Sequence, residues 1–229
     1  MMADPALLLA VHGTRDRRGV AAARRLAADV AGLTGARVGL GFADVCAPDV
    51  GEAAAAIEGP VVVVPAFLAA GYHVRVDIPA QLERAGRGDA VVAEALGADR
   101  LLVEAARRRL RQAGWRRGEA VVLAAAGSSD PDARGQVAGA ARRLAKLLET
   151  PVQEGYVATA QPGVAEAVER MRARGHRRVA LASWLLAPGL FHRRLAGAGA
   201  DAVAAPLCPD PAVAAAAAAR YRAAALASV

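Results

Sequence analysis

Short apolar runs alternate with longer amphipathic stretches along the whole chain of 229 residues. The most apolar run begins with four consecutive valines at Val61 and ends at Pro65. Such a run is typical of a strand that is buried on both faces in the middle of a parallel sheet. The amphipathic stretches between the runs have the length of helices. The alternation therefore predicts an α/β fold in which right-handed crossovers connect parallel strands.

In the first half of the chain the pattern predicts four strands, each followed by a helix. The predicted strands are Ala6 to Val11, Val38 to Val45, Val61 to Pro65 and Ala90 to Leu96, and the predicted helices are Gly19 to Leu33, Pro48 to Ile57, Ile78 to Ala85 and Asp99 to Ala113. Thr14 or Asp16 is expected to cap the first helix, since both types accept hydrogen bonds from free backbone N–H groups. Gly71 predicts a turn between the third strand and its helix.

The same pattern starts again after residue 114. LLLAVHGTRD in the first half aligns with VLAAAGSSD in the second, and GFADVCAPDV aligns with GYVATAQPGV, each at a separation of 114 residues. VVVVPAFLAAG aligns with VALASWLLAPG at a separation of 118 residues. The chain is therefore predicted to be a tandem duplication of one α/β unit, with one half at residues 1–115 and the other at residues 116–229.

Three potential metal ligands follow the strands of the first half and are missing from the second. His12 follows the first predicted strand, Asp44 lies at the end of the second, and His73 follows the third. Their aligned counterparts are Ala126, Ala158 and either Leu190 or Phe191. Because the two halves share the same packing demands, packing alone does not explain this difference.

These three side chains are expected to converge, because the carboxyl ends of neighbouring parallel strands meet at one edge of a sheet. Two imidazoles and a carboxylate suit a first-row divalent metal and leave coordination positions open for an exchanging ligand. The same set could also serve acid–base chemistry, with a histidine near physiological pH and the carboxylate raising its basicity.

The net charge of +7 comes almost entirely from arginine, since Lys146 is the only lysine among 29 basic residues. A coding bias of a GC-rich genome or a polyanionic partner would each explain this excess. Nucleic acid is not the expected partner, because aromatic residues are only 3% of the chain and none forms a stacking platform beside the basic residues.

Two cysteines, Cys46 and Cys208, form neither a metal-type pair nor a disulfide framework. A reducing compartment, and hence a cytoplasmic location, is therefore expected. The chain start has no basic segment before its apolar run, and the alanine-rich stretch near the end is only weakly apolar. Neither a signal peptide nor a membrane span is predicted.

Three motifs resemble those of one enzyme family. HGTRD at His12, FADVCAP at Phe42 and PAFLAAGYHVRVDIP at Pro65 are similar to the motifs of the sirohydrochlorin cobalt- and ferrochelatases, which are class II chelatases. The resemblance implies two tandem flavodoxin-like units, each a parallel sheet flanked by helices, that face each other across a cleft. It also implies ATP-independent insertion of a divalent metal into sirohydrochlorin during siroheme or cobalamin biosynthesis.

The resemblance assigns roles to residues of this chain. His12 and His73 would bind the metal and accept pyrrole protons, with help from Asp44, which stands where the family has glutamate. Sirohydrochlorin carries eight carboxylates, and the arginines near the motifs and at the matching rim of the second half would bind them: Arg15, Arg75, Arg193 and Arg194. The metal is a substrate, either Co²⁺ or Fe²⁺, with Ni²⁺ as a further candidate. No nucleotide is expected, because no phosphate-binding loop is visible.

Two alternative functions remain open from the sequence. A non-catalytic carrier of metal or tetrapyrrole would use the same ligands, and the shorter acid at Asp44 is compatible with it. A histidine phosphatase would also place a histidine after the first strand, but Val11 stands where that family needs an arginine. Because the fused halves would supply both walls of a cleft, a monomer is compatible with the sequence.

Overall fold

The computed structural model describes residues 4–227, which form strands and helices in strict alternation. The first half contains β1 (Ala6–Val11), α1 (Arg17–Thr34), β2 (Val38–Phe42), α2 (Val50–Ala55), β3 (Val61–Pro65), a π-helical turn (His73–Asp77), α3 (Ile78–Arg84), β4 (Val91–Val92) and α4 (Arg100–Gln112). The second half contains β5 (Ala120–Ala125), α5 (Pro131–Leu148), β6 (Val152–Tyr156), α6 (Val164–Ala173), β7 (Val179–Trp184), α7 (Leu190–Leu195), β8 (Ala202–Val203) and α8 (Pro211–Ala227).

The strands form two parallel sheets of four strands, with the orders β2-β1-β3-β4 and β6-β5-β7-β8. Ala6 of β1 is in register with Val61 of β3, and Ala120 of β5 is in register with Val179 of β7. These pairs are related by the separations of 114 and 118 residues that the sequence alignment predicted. The predicted fold class, two tandem α/β units with parallel sheets flanked by helices, is confirmed.

The loops at the carboxyl ends of the two sheets are built in the same way. The Asp44 N–H donates to the His12 carbonyl at 2.9 Å, and the Ala158 N–H donates to the Ala126 carbonyl at 3.0 Å. Gly13 has a φ of +96°, and a Cβ added there would lie 2.0 Å from the Asp44 carbonyl oxygen. The two halves therefore share the architecture of this edge although only the first carries the histidine and the aspartate.

The chain divides into two compact units whose bounds differ from those of the repeat. Each unit contains the last helix of the opposite half, α8 in unit 1 and α4 in unit 2. Unit 1 comprises the residues up to Gly97 together with those from Pro209 onward, and unit 2 comprises Ala98–Cys208. Consequently α8 packs on α1 and β3 within unit 1, whereas α4 packs on α5 and β7 within unit 2. The boundary between residues 115 and 116 stays a prediction about the repeat.

The alanine-rich helix α8 is partly buried in unit 1, because residues such as Ala214 and Ala217 let it approach its neighbours closely. Tyr221 of this helix donates a hydrogen bond to the Pro5 carbonyl at 2.5 Å. Among residues 4–227, no helix has the length and apolar character that a membrane span requires.

The predicted bounds of the second strand, the second helix and the fourth strand are wrong. The second strand ends at Phe42 rather than Val45, because Val45 adopts a left-handed φ of +70° that a strand does not accommodate. The helix predicted from Pro48 begins at Val50, with Asp49 as its N-cap and Glu52 completing a capping box. The predicted fourth strand pairs with β3 over only two residues, and Val91 and Val92 are exposed.

The capping alternatives at the first helix are resolved. Asp16 is the N-cap of α1, and its carboxylate accepts the Arg18 N–H at 3.0 Å. Thr14 instead accepts the N–H of Asp16 at 3.1 Å, so it supports the capping residue. The stretch after Gly71 is not a simple turn, because it continues directly into the π-helical turn His73–Asp77.

Candidate metal centre

His12 stands directly beyond the carboxyl end of the central strand β1. Ala10 is paired with Pro65 of β3, and the Ala66 N–H extends this ladder by donating to the Ala10 carbonyl at 2.8 Å. The residues that follow both strands, His12 and Phe67, are therefore held at one edge of the sheet. This is the edge at which open α/β sheets bind ligands.

The π-helical turn brings the second histidine against the first. The ring centroids of His12 and His73 lie 4.6 Å apart, and the two planes meet at 77°. Phe67 packs beside both, with its centroid 6.4 Å from that of His12 and 6.3 Å from that of His73. The predicted convergence of the two histidines thus exists in the structure, and an apolar ring flanks the pair.

Asp77 holds His73 in one orientation. Its Oδ2 lies 2.6 Å from Nδ1 of His73, and both side chains are about 30% exposed, at 28% and 32%. A carboxylate accepts hydrogen bonds, so Nδ1 carries a hydrogen, and in the neutral imidazole Nε2 keeps its lone pair. Asp77 thereby presents Nε2 of His73 as a metal ligand or proton acceptor.

Sequence reasoning missed Asp77 because the segment after Gly71 was interpreted as a turn. The signal was present in the spacing, since His73 and Asp77 are four residues apart and share one face of any helical turn. Phe67, which lies in the motif that begins at Pro65, was likewise given no role in the site.

His12 is presented in the same way as His73. Its Nδ1 lies 3.2 Å from the carbonyl oxygen of Gly13, which can only accept, so Nε2 again keeps its lone pair. Burial lowers the pKa of His12, and the neighbouring His73 lowers it further. The Gly13 carbonyl and the carboxylates of Asp44 and Asp77 oppose this shift without reversing it. His12 is therefore neutral at neutral pH, which is the form that binds a metal or accepts a proton.

Asp44 is exposed at the edge of this pair. Its Oδ1 accepts the N–H of Val45 at 2.7 Å. In residues 4–227, no group of three or more histidine, cysteine, aspartate or glutamate side chains is arranged to hold a metal ion. The structure therefore brings the two histidines together, and the assignment of Asp44 as a third ligand stays a prediction.

A buried glutamine fixes the loop that carries Asp44. Gln81 of α3 donates from Nε2 to the Ala43 carbonyl at 2.8 Å and accepts the Val50 N–H at 3.0 Å. One side chain thus connects the Asp44 loop to the helices α2 and α3. Helix α3 also continues directly from the π-helical turn that carries His73. It therefore supports both the Asp44 loop and His73.

The four predicted substrate arginines lie on the surfaces of their units. Arg15 is exposed three residues after His12, and Arg75 is exposed two residues after His73. Arg193 and Arg194 are exposed on α7 of unit 2, where the guanidinium carbon of Arg194 lies 5.9 Å from the ring centroid of Phe191. Their role in binding carboxylates stays a prediction.

The corresponding edge of unit 2 has apolar residues where unit 1 has its polar pair. At the separation of 118 residues, Phe191 corresponds to His73 and the buried Leu195 corresponds to Asp77. Ala126 replaces His12 at the separation of 114 residues. The difference extends to the residue that orients the histidine, so the whole histidine–carboxylate arrangement is confined to unit 1.

Known structures share this fold across nearly the whole chain. The structure of SirB from Bacillus subtilis with Fe³⁺ has a TM-score of 0.80 at 23% identity, covering 99% of this chain and 97% of that one. The sirohydrochlorin chelatase SirB from Bacillus subtilis subspecies spizizenii, in complex with cobalt, also has a TM-score of 0.80, at 22% identity and with 98% and 96% covered.

A third structure is CbiX, described as the terminal enzyme for biosynthesis of siroheme in denitrifying bacteria. It has a TM-score of 0.70 at 22% identity and covers 96% of this chain and 99% of that one. A search of curated proteins finds no significant match in sequence. At these identities the structures establish a shared fold.

The family itself is established from the sequence. The model of the CbiX family matches the chain twice, over residues 6–113 and again over residues 120–224. The two matches cover most of the chain and coincide with the two halves of the predicted repeat. The resemblance drawn from the three sequence motifs is thereby confirmed, and the chain belongs to the CbiX family.

Proposed function

We propose that the chain is a metal chelatase that inserts Co²⁺ or Fe²⁺ into sirohydrochlorin without ATP, in the biosynthesis of siroheme or cobalamin. The observation that carries this proposal is the pairing of His12 and His73, whose rings lie 4.6 Å apart in a member of the CbiX family. Structures of the same fold hold Fe³⁺ and cobalt. The metal is a substrate of this reaction.

The Nε2 atoms of the two histidines bind the incoming ion. In each histidine Nδ1 makes a hydrogen bond to an oxygen atom, so the lone pair on each Nε2 is available. Two imidazoles hold a divalent ion less tightly than a closed site of four protein ligands does. A loosely held ion is what a transfer reaction requires. We assign Asp44 as an assisting ligand at the exposed side of the pair.

Charge balance requires two pyrrole protons to leave as the ion enters the macrocycle. When the bond between the ion and Nε2 breaks and a bond to pyrrole nitrogen forms, the pyrrole proton moves to the freed Nε2. Asp77 stabilises the resulting charge on His73 through the hydrogen bond at Nδ1. The lowered pKa of His12 favours release of its proton to solvent afterwards, which restores the starting state.

The polycarboxylate substrate requires cationic contacts. We propose Arg15, Arg75, Arg193 and Arg194 for this role, since guanidinium groups bind carboxylates through two parallel hydrogen bonds. The reaction as proposed uses no nucleotide. A cytoplasmic location follows from the pathway and from the two free cysteines, Cys46 and Cys208.

The test is an absorbance assay of sirohydrochlorin with the purified protein and Co²⁺, Fe²⁺ or Ni²⁺ in turn. We expect metallation faster than the reaction without protein for at least one of Co²⁺ and Fe²⁺. Binding of both metal and tetrapyrrole without faster metallation would instead identify a carrier. Phosphate release from a phosphomonoester that is lost in His12→Ala would identify a phosphatase.

A further inference from the structure

The net positive charge of the chain belongs to one of its two units. Unit 2 contains 18 of the 29 arginine and lysine residues and 10 of the 22 acidic residues. Its formal charge is therefore +8, whereas that of unit 1 is −1. A coding bias acts on the whole chain alike, so it does not account for a concentration of cations in one unit.

Part of this charge surrounds a groove at the amino-terminal edge of the sheet in unit 2. The groove has a volume of about 310 Å³ and lies between the loops that lead into β5 and β7. It is lined by Gly118, Glu119, Gly175, His176, Arg177 and Arg178. Because β5 and β7 are paired neighbours, their leading loops run side by side. Each loop turns at a glycine with a φ near +90°, which shapes the groove.

The groove carries more positive charge than its own acid neutralises. Glu119 is engaged through both oxygens, accepting from Nε of Arg178 at 2.7 Å and from the Arg116 N–H at 3.0 Å. Over residues 4–227, no ion pair engages Arg177 or His176. Glu119 therefore fixes Arg178 in place, while the guanidinium of Arg177 stays available for a ligand.

The first half of the repeat shows that packing does not require these cations. The loop that leads into β3 contains Glu58, Gly59 and Pro60 at the positions of His176, Arg177 and Arg178. In the loop that leads into β1, Asp4 and Pro5 stand where Gly118 and Glu119 stand in unit 2. The strand registers that follow are the same in both units. The cationic loops are thus specific to unit 2, as the histidine pair is specific to unit 1.

We propose that this groove is a binding site for a small multivalent oxyanion, either a phosphate or a polycarboxylate. Its volume lies at the lower end of the range of about 300–1,000 Å³ that is usual for small-molecule sites. Guanidinium groups bind the planar oxygen pairs of both ligand classes through two parallel hydrogen bonds. Arg177 is the principal contact, the fixed Arg178 supplies a second guanidinium, and the imidazole of His176 adds a hydrogen-bonding group to the wall of the groove.

Calorimetric titration of the full chain at low salt tests this site with pyrophosphate, inorganic phosphate and citrate. We expect at least one of them to bind, and Arg177→Gln to weaken that binding about tenfold. Arg142→Gln is the matched control, because it removes the same charge from an exposed position on α5 of unit 2. It should change the affinity less than twofold.

Tighter binding of pyrophosphate than of citrate would assign the natural ligand to the phosphates, and the reverse order would assign it to the carboxylates.

Equal weakening by Arg177→Gln and Arg142→Gln would overturn the proposal, because it would show attraction by diffuse charge alone. Absence of binding by all three anions would overturn it as well. His176→Gln provides a second variant and should also weaken binding. Co²⁺ insertion by Arg177→Gln should equal that of the unaltered protein, so failure of the anion site and failure of the proposed chelatase activity are distinguishable.

Discussion

His73 and Asp77 form a hydrogen-bonded pair, with 2.6 Å between Nδ1 and Oδ2, inside a single π-helical turn. Such turns are rare and occur often at functional sites. Here the turn places a carboxylate behind the imidazole and directs Nε2 away from it. The arrangement resembles the carboxylate–histidine pairs that fix metal-binding imidazoles in other proteins.

Replacing Asp77 with asparagine should therefore impair the histidine while leaving the fold intact. An amide can turn its NH₂ group toward Nδ1, which would move the ring hydrogen to Nε2 and block the ligand atom. We expect a loss of about 10–100-fold in Co²⁺ affinity, which is the usual effect of removing such a supporting group. Competition titration with a chromophoric chelator measures this loss. Asp29→Asn, which removes a partly exposed carboxylate of α1 in the same unit, should leave the affinity unchanged.

The repeat provides a matched pair of glycine substitutions. A Cβ at Gly13 would lie 2.0 Å from the Asp44 carbonyl oxygen, and one at Gly127 would lie 1.8 Å from that of Ala158. Both residues also have a positive φ, which alone costs about 1–3 kcal/mol for alanine. Urea unfolding should show similar destabilisation for Gly13→Ala and Gly127→Ala. Under folding conditions, only Gly13→Ala should reduce Co²⁺ affinity, and an equal reduction in both would contradict the placement of the site.

The lowered pKa of His12 predicts how stability depends on pH. In the unfolded chain this histidine titrates near 6.5, whereas in the folded protein it stays neutral to lower pH. The unfolded state therefore binds more protons below about pH 6.5, and the free energy of unfolding should fall as the pH decreases through this range. Urea titrations from pH 7.5 to 5 should show a shallower decline in His12→Ala. An identical pH dependence in both proteins would contradict the predicted shift.

The role of Asp44 as an assisting ligand can be tested by replacing it with glutamate, the acid that the family resemblance implies at this position. Asp44→Glu extends the carboxylate by one methylene group, which should bring it closer to an ion held by His12 and His73. We expect the rate of metal insertion to be equal to or higher than that of the unaltered protein. Abolition of insertion in a folded Asp44→Glu protein would indicate that the carboxylate does not act as an assisting ligand.

Much of the fold is encoded by local pattern, as the valine run of β3 shows. Four consecutive valines can be buried only between two covered faces, so both the strand and its central position were predictable. The repeat was equally visible, because loops such as those around Gly13 and Gly127 require the same glycine at the same spacing. The absence of aligned histidines in the second half then identified His12 and His73.

The remaining features depend on tertiary contacts that local pattern does not encode. Leu96 was assigned to a strand on apolar pattern, but the ladder with β3 includes only Val91 and Val92. Leu96 makes a single backbone hydrogen bond to the end of β3, from its N–H to the Pro65 carbonyl at 3.3 Å. The packing of α4 within unit 2 is decided by contacts with α5 and β7, which lie far away in sequence. Asp77 is a different case: its spacing of four residues from His73 carried the signal, but the segment after Gly71 was interpreted as a turn.

The most direct test of the metal centre compares sirohydrochlorin metallation by the unaltered protein and by His73→Ala, with Co²⁺ and without ATP, followed by absorbance. His12→Ala serves as a second variant, and thermal unfolding verifies that both are folded. The proposed function predicts that the unaltered protein exceeds the rate without protein and that both variants fall to that background rate. Insertion by His73→Ala and His12→Ala as fast as by the unaltered protein would contradict it.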